Sequence, residues 1–118
     1  MNDTQKVLAH ALAILRRPNG MTSGNYARRE NGDSAAIVGP DAVSFCSVGA
    51  ILRAASELDL GGTEASDYFA RATGKPNAPM AWSDYHADQA AAGRKAFPAP
   101  PIVVDAFERA IVAAGSGK

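Results

Sequence analysis

What this chain has least of is cysteine. A single one, Cys46, in 118 residues excludes an internal disulfide framework and the class of small domains that depends on one. Charge of one sign is missing as well. Twelve Lys and Arg cancel twelve Asp and Glu, so no overall field gathers DNA, RNA or an anionic membrane surface. No stretch approaches the run of about 18 apolar residues that a membrane-spanning helix requires. Aromatic residues amount to 7%, with one tryptophan, so any aromatic recognition surface rests on very few side chains. The motifs of common chemistry are absent too. Two histidines and one cysteine form no C-x-x-C or H-x-x-x-H spacing, and no metal is expected. Gly20, Gly24, Gly32 and Gly39 follow neither a P-loop nor a G-x-G-x-x-G order, which leaves nucleotide binding unsupported and no cofactor expected.

What is present is an ordinary globular balance, 47% hydrophobic and 20% charged. At this length one domain, residues 1–118, is expected, with a core that buries roughly two-thirds of the unfolded surface. The opening "MNDTQKVLAHALAILRR" fits a secretory signal poorly, because an acidic residue precedes the first lysine and His10 breaks the apolar run. Together with the lone cysteine, this makes the cytoplasm the expected location.

Periodicity organises the chain into helices. Leu8, Ala11, Leu12 and Leu15 recur at helical spacing, flanked by Val7 and Ile14, after a possible cap at Asp3 or Thr4. Pro18 and the Asn19-Gly20 pair end that helix, which leaves Arg16 and Arg17 to complement its dipole. The segment 25–38 reads as strand, turn and strand around Glu30-Asn31-Gly32-Asp33. Asp41 to Leu58 reads as the strongest and central helix, with Phe45, Val48, Gly49, Ile51, Leu52, Ala55 and Leu58 on one apolar face. Thr63 to Thr73 reads as a helix capped by Thr63 and closed by Gly74. Beyond Lys75 the prolines cluster around an alanine-rich piece, "WSDYHADQAAAGRKAF", whose helical signal is weak, with Ser83 as a candidate cap. The final helix places Val103, Phe107, Ala110, Ile111 and Ala114 on one face and pairs Asp105 with Arg109 at i,i+4. The expected fold is mainly α (α+β): four to five short helices around a central helix 41–58, with a short β-hairpin near 25–38.

Three constellations bear on function. Cys46 lies on the flank of the central helix and heads a ridge of small residues with Ala50 and Ala54, which suits a packed thiol. Read as a nucleophile instead, it needs a base, and His86 with Asp84 to orient its ring is the better candidate than His10. Arg16, Arg17, Tyr26, Arg28 and Arg29 form a basic flank, because residues 1–30 hold five basic and two acidic side chains. An aromatic between arginines suits stacking on a base and holding a phosphate, although a solvated hairpin explains it equally. Trp82 fits a core plug or an interface anchor.

Three short motifs, "MTSGNYAR", "FCSVGAIL" and "AWSD", occur in that order. Together they resemble the pattern of a family of small uncharacterised bacterial and phage proteins: Trp-Thr-x-Gly-x-Tyr-Ala-Arg, then Trp-Cys-x-x-Gly-Ala-Leu, then Trp-Asn-Asp. Thr22, Gly24, Tyr26, Ala27 and Arg28 match the first motif. Cys46, Gly49 and Ala50 match the second, and Trp82 and Asp84 the third. The chain departs from the pattern at Met21, Phe45, Ile51 and Ser83. The resemblance implies no activity, but it implies that Tyr26, Arg28, Cys46, Trp82 and Asp84 serve one shared design. The expected function is therefore non-catalytic binding of a macromolecular partner, a protein, through Tyr26, Arg28, Arg29, Trp82 and Asp84. A phage- or mobile-element-derived modulator of a bacterial defence or regulatory complex would act in this way. A thiol enzyme using Cys46, His86 and Asp84, and a nucleic-acid binder using the basic flank, are the alternatives.

Overall fold

Asn2 starts the first helix. In the computed structural model, which describes residues 1–91 and 93–116, its side chain accepts from the Gln5 N–H at 2.8 Å while the Gln5 side chain accepts from the Asn2 N–H at 3.1 Å. This reciprocal box satisfies two donors that a helix start leaves open. The cap is thus one residue ahead of the expected Asp3. Helix α1, Asp3–Leu15, buries Val7, Leu8, Ala11, Leu12, Ile14 and Leu15, the face that its periodicity predicts. Gln5 and Asn2 also reach α5, Pro101–Ser116, by donating to the carbonyls of Ile111 and Ala114 at 2.9 and 3.0 Å.

The chain then turns into a short antiparallel pair. β1, Ala27–Arg28, pairs with β2, Ser44–Phe45, in the register Ala27 with Phe45 and Arg28 with Ser44. The expected hairpin is present in reduced form. Arg28 bridges Ser34 across the predicted turn, and the Arg29 N–H donates to the Asp33 carbonyl at 2.7 Å, but the strand that pairs with β1 comes from beyond residue 38. This corrects the extent of the central helix, which was expected to begin at Asp41. Ala42 and Ser44 are buried while Asp41 and Val43 are exposed, an alternation of two that belongs to a strand. Val43 and Phe45 give their N–H groups to the carbonyls of Arg28 and Gly20, so they are not available to a helix.

Helix α2 therefore runs Ser47–Leu58 with Cys46 as its N-cap. Its phase matches expectation at Gly49, Ile51 and Ala55, which are buried, and departs from it at the two leucines. The ridge of small residues faces inward, with Cys46, Ala50 and Ala54 at 1% exposure or less, whereas Leu52 and Leu58 are exposed. Small side chains let α2 lie close to α1, and α2 also touches α3, α4 and β2 while α1 touches α3 and α5.

α3, Thr63–Ala72, and α4, Pro79–Ala91, complete the five helices among the described residues. The N-cap of α3 is Gly62, with Thr63 as the first helical residue. Ser83 lies inside α4, not at its start. Phe69 of α3 packs on Phe107 of α5 with centroids 4.5 Å apart, and Trp82 of α4 meets Phe69 edge-on at 6.1 Å. α5 buries Val103, Ala106, Phe107, Ala110 and Ala114, and the Asp105–Arg109 pair forms at 2.8 Å. Arg109 also donates to the Ala72 carbonyl at the end of α3 at 2.6 Å. The fold is mainly α with a short two-stranded β-hairpin. No helix among the described residues is long and apolar enough to cross a membrane.

One close approach fixes the junction between loop and helix. A Cβ added at Gly49 would lie 2.0 Å from the Tyr26 carbonyl oxygen, a backbone atom that cannot swing away. Gly49→Ala is expected to lower unfolding free energy by about 3 kcal/mol or more. Gly61→Ala, where nothing lies within 4 Å, is expected to change it by about 0.5 kcal/mol or less. Urea titration of the two variants side by side measures this contrast.

Candidate functional site

The three short motifs converge on one junction, where the loop 20–28, the start of α2 and the face of α4 meet. The loop is held first by its backbone. Thr22 N–H donates to the Phe45 carbonyl at 2.9 Å, Cys46 N–H to the Tyr26 carbonyl at 3.1 Å, and Met21 exchanges a pair of hydrogen bonds with Phe97 at 2.8 and 3.0 Å. Met21 and Phe45, two of the positions that depart from the family pattern, are bridged neighbours and both fully buried.

Arg28 then ties the loop to itself. Its guanidinium donates to the Thr22 hydroxyl at 2.8 Å, to the Gly32 carbonyl at 2.8 Å and to the Ser23 carbonyl at 3.0 Å. The Thr22 hydroxyl passes its own proton to the Lys95 carbonyl at 2.6 Å. With Asn25 placed so that its amide donates to Ser34, the Asn25 carbonyl accepts from Arg28 as well, at 2.9 Å. These acceptors are all neutral. A planar fork with several fixed donors suits such a bundle of oxygens, where a lysine supplies only a point charge.

Two carboxylates of α4 grip the same loop from the other side. Asp88 accepts from the Ser23 hydroxyl at 2.5 Å. Asp84 takes the Gly24 N–H, yet burial and then the neighbouring Asp88 charge hold its carboxyl above the usual range, with the Gly24 bond only partly offsetting them. Beneath them the hydroxyls of Ser47 and Ser83 share a buried hydrogen bond of 2.7 Å between α2 and α4.

Cys46 is spent on the helix start. Its sulfur accepts from the Gly49 N–H at 3.2 Å, and the residue is 1% exposed. Burial pushes the thiol up from its ordinary value, the Asp84 charge adds to that rise, and the Gly49 bond counters it in part. No hydrogen bond joins Cys46 to His86. That ring instead meets Trp82 and Tyr85 edge-on, at centroid distances of 4.7 and 5.1 Å.

The structure thus brings Tyr26, Arg28, Cys46 and Asp84 to one junction and sets Trp82 against Phe69 of α3, with His86 beside it on α4. Among the basic flank, Arg28 points into the loop, Arg29 faces Asp41 at 3.7 Å, and Arg16 is the C-cap of α1, with Arg17 exposed beyond it. His10 is hydrogen-bonded to Glu57 at 2.9 Å. Glu57 in turn holds Arg53, which donates to the carbonyls of Ile37 and Gly39. No group of three or more His, Cys, Asp or Glu able to hold a metal exists among the described residues.

Residue-by-residue reading of the sequence did not reach Ser23, Ser47 or the buried role of Ser83, because serine carries no periodic signal. Gly49 did carry one. A glycine in the first turn of a helix marks a close backbone approach.

The chain belongs to DUF6197, a family of unknown function whose model matches residues 1–113. No curated protein and no solved structure matches the chain.

Two chemical outcomes follow from this geometry. The Cys46 thiol is expected to resist iodoacetamide at neutral pH at least about tenfold more than a free cysteine, and to react fully once denaturant is added. The second outcome concerns pH. A carboxyl whose folded pKa is raised contributes stability below its unfolded pKa and loses it as pH rises through the folded value. Asp84→Asn is therefore expected to flatten the decline of stability just above the usual carboxylate range. Glu57, held low by the His10 hydrogen bond and then by Arg53, behaves oppositely: its contribution is present above the unfolded pKa and fades as pH falls through the folded one. Thermal melts of Asp84→Asn and Glu57→Gln across pH 3 to 8 distinguish the two signs.

Proposed function

We propose that this protein acts without catalysis, by binding a protein partner, and that Tyr26 is an anchor of that contact. The observation that carries the proposal is the contrast within one residue. The main chain of Tyr26 is clamped between the Cys46 N–H and Gly49, while the residue is 46% exposed. A ring held in place by its backbone loses little freedom on binding, which is the condition for an aromatic hot spot.

The other shared residues support this reading by being engaged elsewhere. Arg28 gives its donors to the loop, Asp84 accepts from Gly24, and the Cys46 sulfur accepts from the Gly49 N–H at the start of α2, so the polar groups of the junction hold the fold together. The buried, protonated thiol without a hydrogen-bonded base does not favour the thiol-enzyme alternative. The nucleic-acid alternative loses the Arg28 donors to oxygens of its own loop, has Arg29 beside a carboxylate, and has no net charge to draw a polyanion. A cytoplasmic modulator of a bacterial defence or regulatory complex, of phage or mobile-element origin, is the narrower form of the proposal, and it rests on the family resemblance.

The test compares proteins captured from the native host by wild type, Tyr26→Ala and Val112→Ala. Val112 is 72% exposed on α5 and serves as the surface control. A partner held by wild type and the control but weakened about tenfold or more by Tyr26→Ala supports the proposal. Equal capture by all three, or salt-sensitive retention of nucleic acid in place of protein, overturns it.

A further inference from the structure

A file of rings leads from the core to the surface on the far side of α4. Phe107 packs on Phe69 at 4.5 Å, Phe69 meets Trp82 at 6.1 Å, Trp82 meets His86 at 4.7 Å, and His86 meets Tyr85 at 5.1 Å. The file ends in a shallow groove lined by Ala78, Ala81, Trp82, Tyr85 and His86, with Lys75 on its rim. Tyr85 is 61% exposed there, and its only aromatic neighbour is His86. Nothing in the packing of the domain requires so large an apolar ring at that position.

The charge that lines the groove is positive. Among the described residues Lys75 is the only fully charged side chain in its lining, and no carboxylate is part of it. The acids of α4 point the other way, since Asp84 and Asp88 hold the loop at Gly24 and Ser23. The carbonyls at the end of α3, which would bring negative charge, are already covered: Ala70 by the Thr73 hydroxyl at 2.6 Å and Ala72 by Arg109 at 2.6 Å. The first turn of α4, beginning at Pro79, adds the positive end of a helix to the same rim. The backbone of Lys75 is fixed: its N–H donates to the Thr73 hydroxyl at 3.0 Å, its carbonyl accepts from the Ala78 N–H at 3.0 Å, and Pro76 and Pro79 stiffen the turn that carries it.

We infer that this groove receives a short acidic segment of a protein partner, with one large apolar side chain set between Trp82 and Tyr85 and a carboxylate on Lys75. The inference rests on the partner-binding reading and adds a second contact to it, away from Tyr26. The rings supply apolar area at low entropic cost, and the cation on the rim selects charge and steers approach.

Trp82 is the only tryptophan, so its emission reports occupancy of the groove directly. The probe is a displayed library of random peptides selected on the immobilised full chain. Selected sequences are then synthesised and titrated against wild type, Lys75→Glu and Tyr85→Ala, with circular dichroism confirming that each variant is folded. The expected result is enrichment of Asp or Glu beside a Leu or aromatic residue, a shift of Trp82 emission on binding, and affinity weakened about fivefold or more by Lys75→Glu. Selection of basic sequences, acidic peptides that bind Lys75→Glu as well as wild type, or no selection above the Tyr85→Ala protein overturns the inference. A host partner lost by Tyr26→Ala but held equally by wild type and Lys75→Glu would overturn it while leaving the partner-binding reading intact.

Discussion

The Tyr26 carbonyl lies where a side chain at residue 49 would have to be, and much of the structure is arranged around that contact. Because residue 49 is glycine, the loop backbone can press onto the first turn of α2. Cys46 then gives its N–H to that same carbonyl while its sulfur accepts from Gly49. One contact therefore sets the start of the helix, the depth of the thiol and the position of Tyr26. A larger residue at 49 would separate the loop from the helix and expose the hydrogen bonds between them.

The polar groups at this junction are costly to bury and are matched accordingly. No buried side-chain nitrogen or oxygen among the described residues lacks a partner. Arg28 is satisfied by neutral oxygens, and its charge has no carboxylate in direct contact. The two carboxylates nearest the loop face Ser23 and Gly24 instead. Asp84 is consequently an acid whose ionisation works against the fold, whereas Glu57, in the last turn of α2, is an acid whose ionisation supports it.

The helices whose apolar residues are long and periodic were legible in the sequence. α1 and α5 owe their position to Leu, Ile, Val and Phe side chains, whose contrast with polar neighbours reveals the buried face, and α3 was found by its end signals and by Phe69. α2 and α4 were legible only in part, for a common reason. Apart from Ile51, their buried faces are built largely from alanine, serine and glycine, which give little hydropathy contrast, so in α2 the exposed Leu52 and Leu58 draw the apolar face to one side, and in α4 Ser83 and Ala87 leave no periodic signal. The two-residue alternation of β2 was also absorbed into the helical period, because Phe45 fits both. At the candidate site, the short motifs identified which residues meet, but not how. Whether Arg28 points outward to a ligand or inward to Thr22 depends on a long-range pairing with residues 44 and 45 that no local pattern encodes.

A pinned junction with one ring left in solvent is the physical basis for reading this protein as a binding module. The account depends on the junction being part of the cooperative fold and not a loosely attached flap. Native-state amide hydrogen exchange measures this directly. The account predicts that the amides of Thr22, Phe45 and Cys46 exchange only through global unfolding, with the same opening free energy as the core of α1. Exchange of those three amides at a clearly lower free energy, while α1 stays protected, would contradict it.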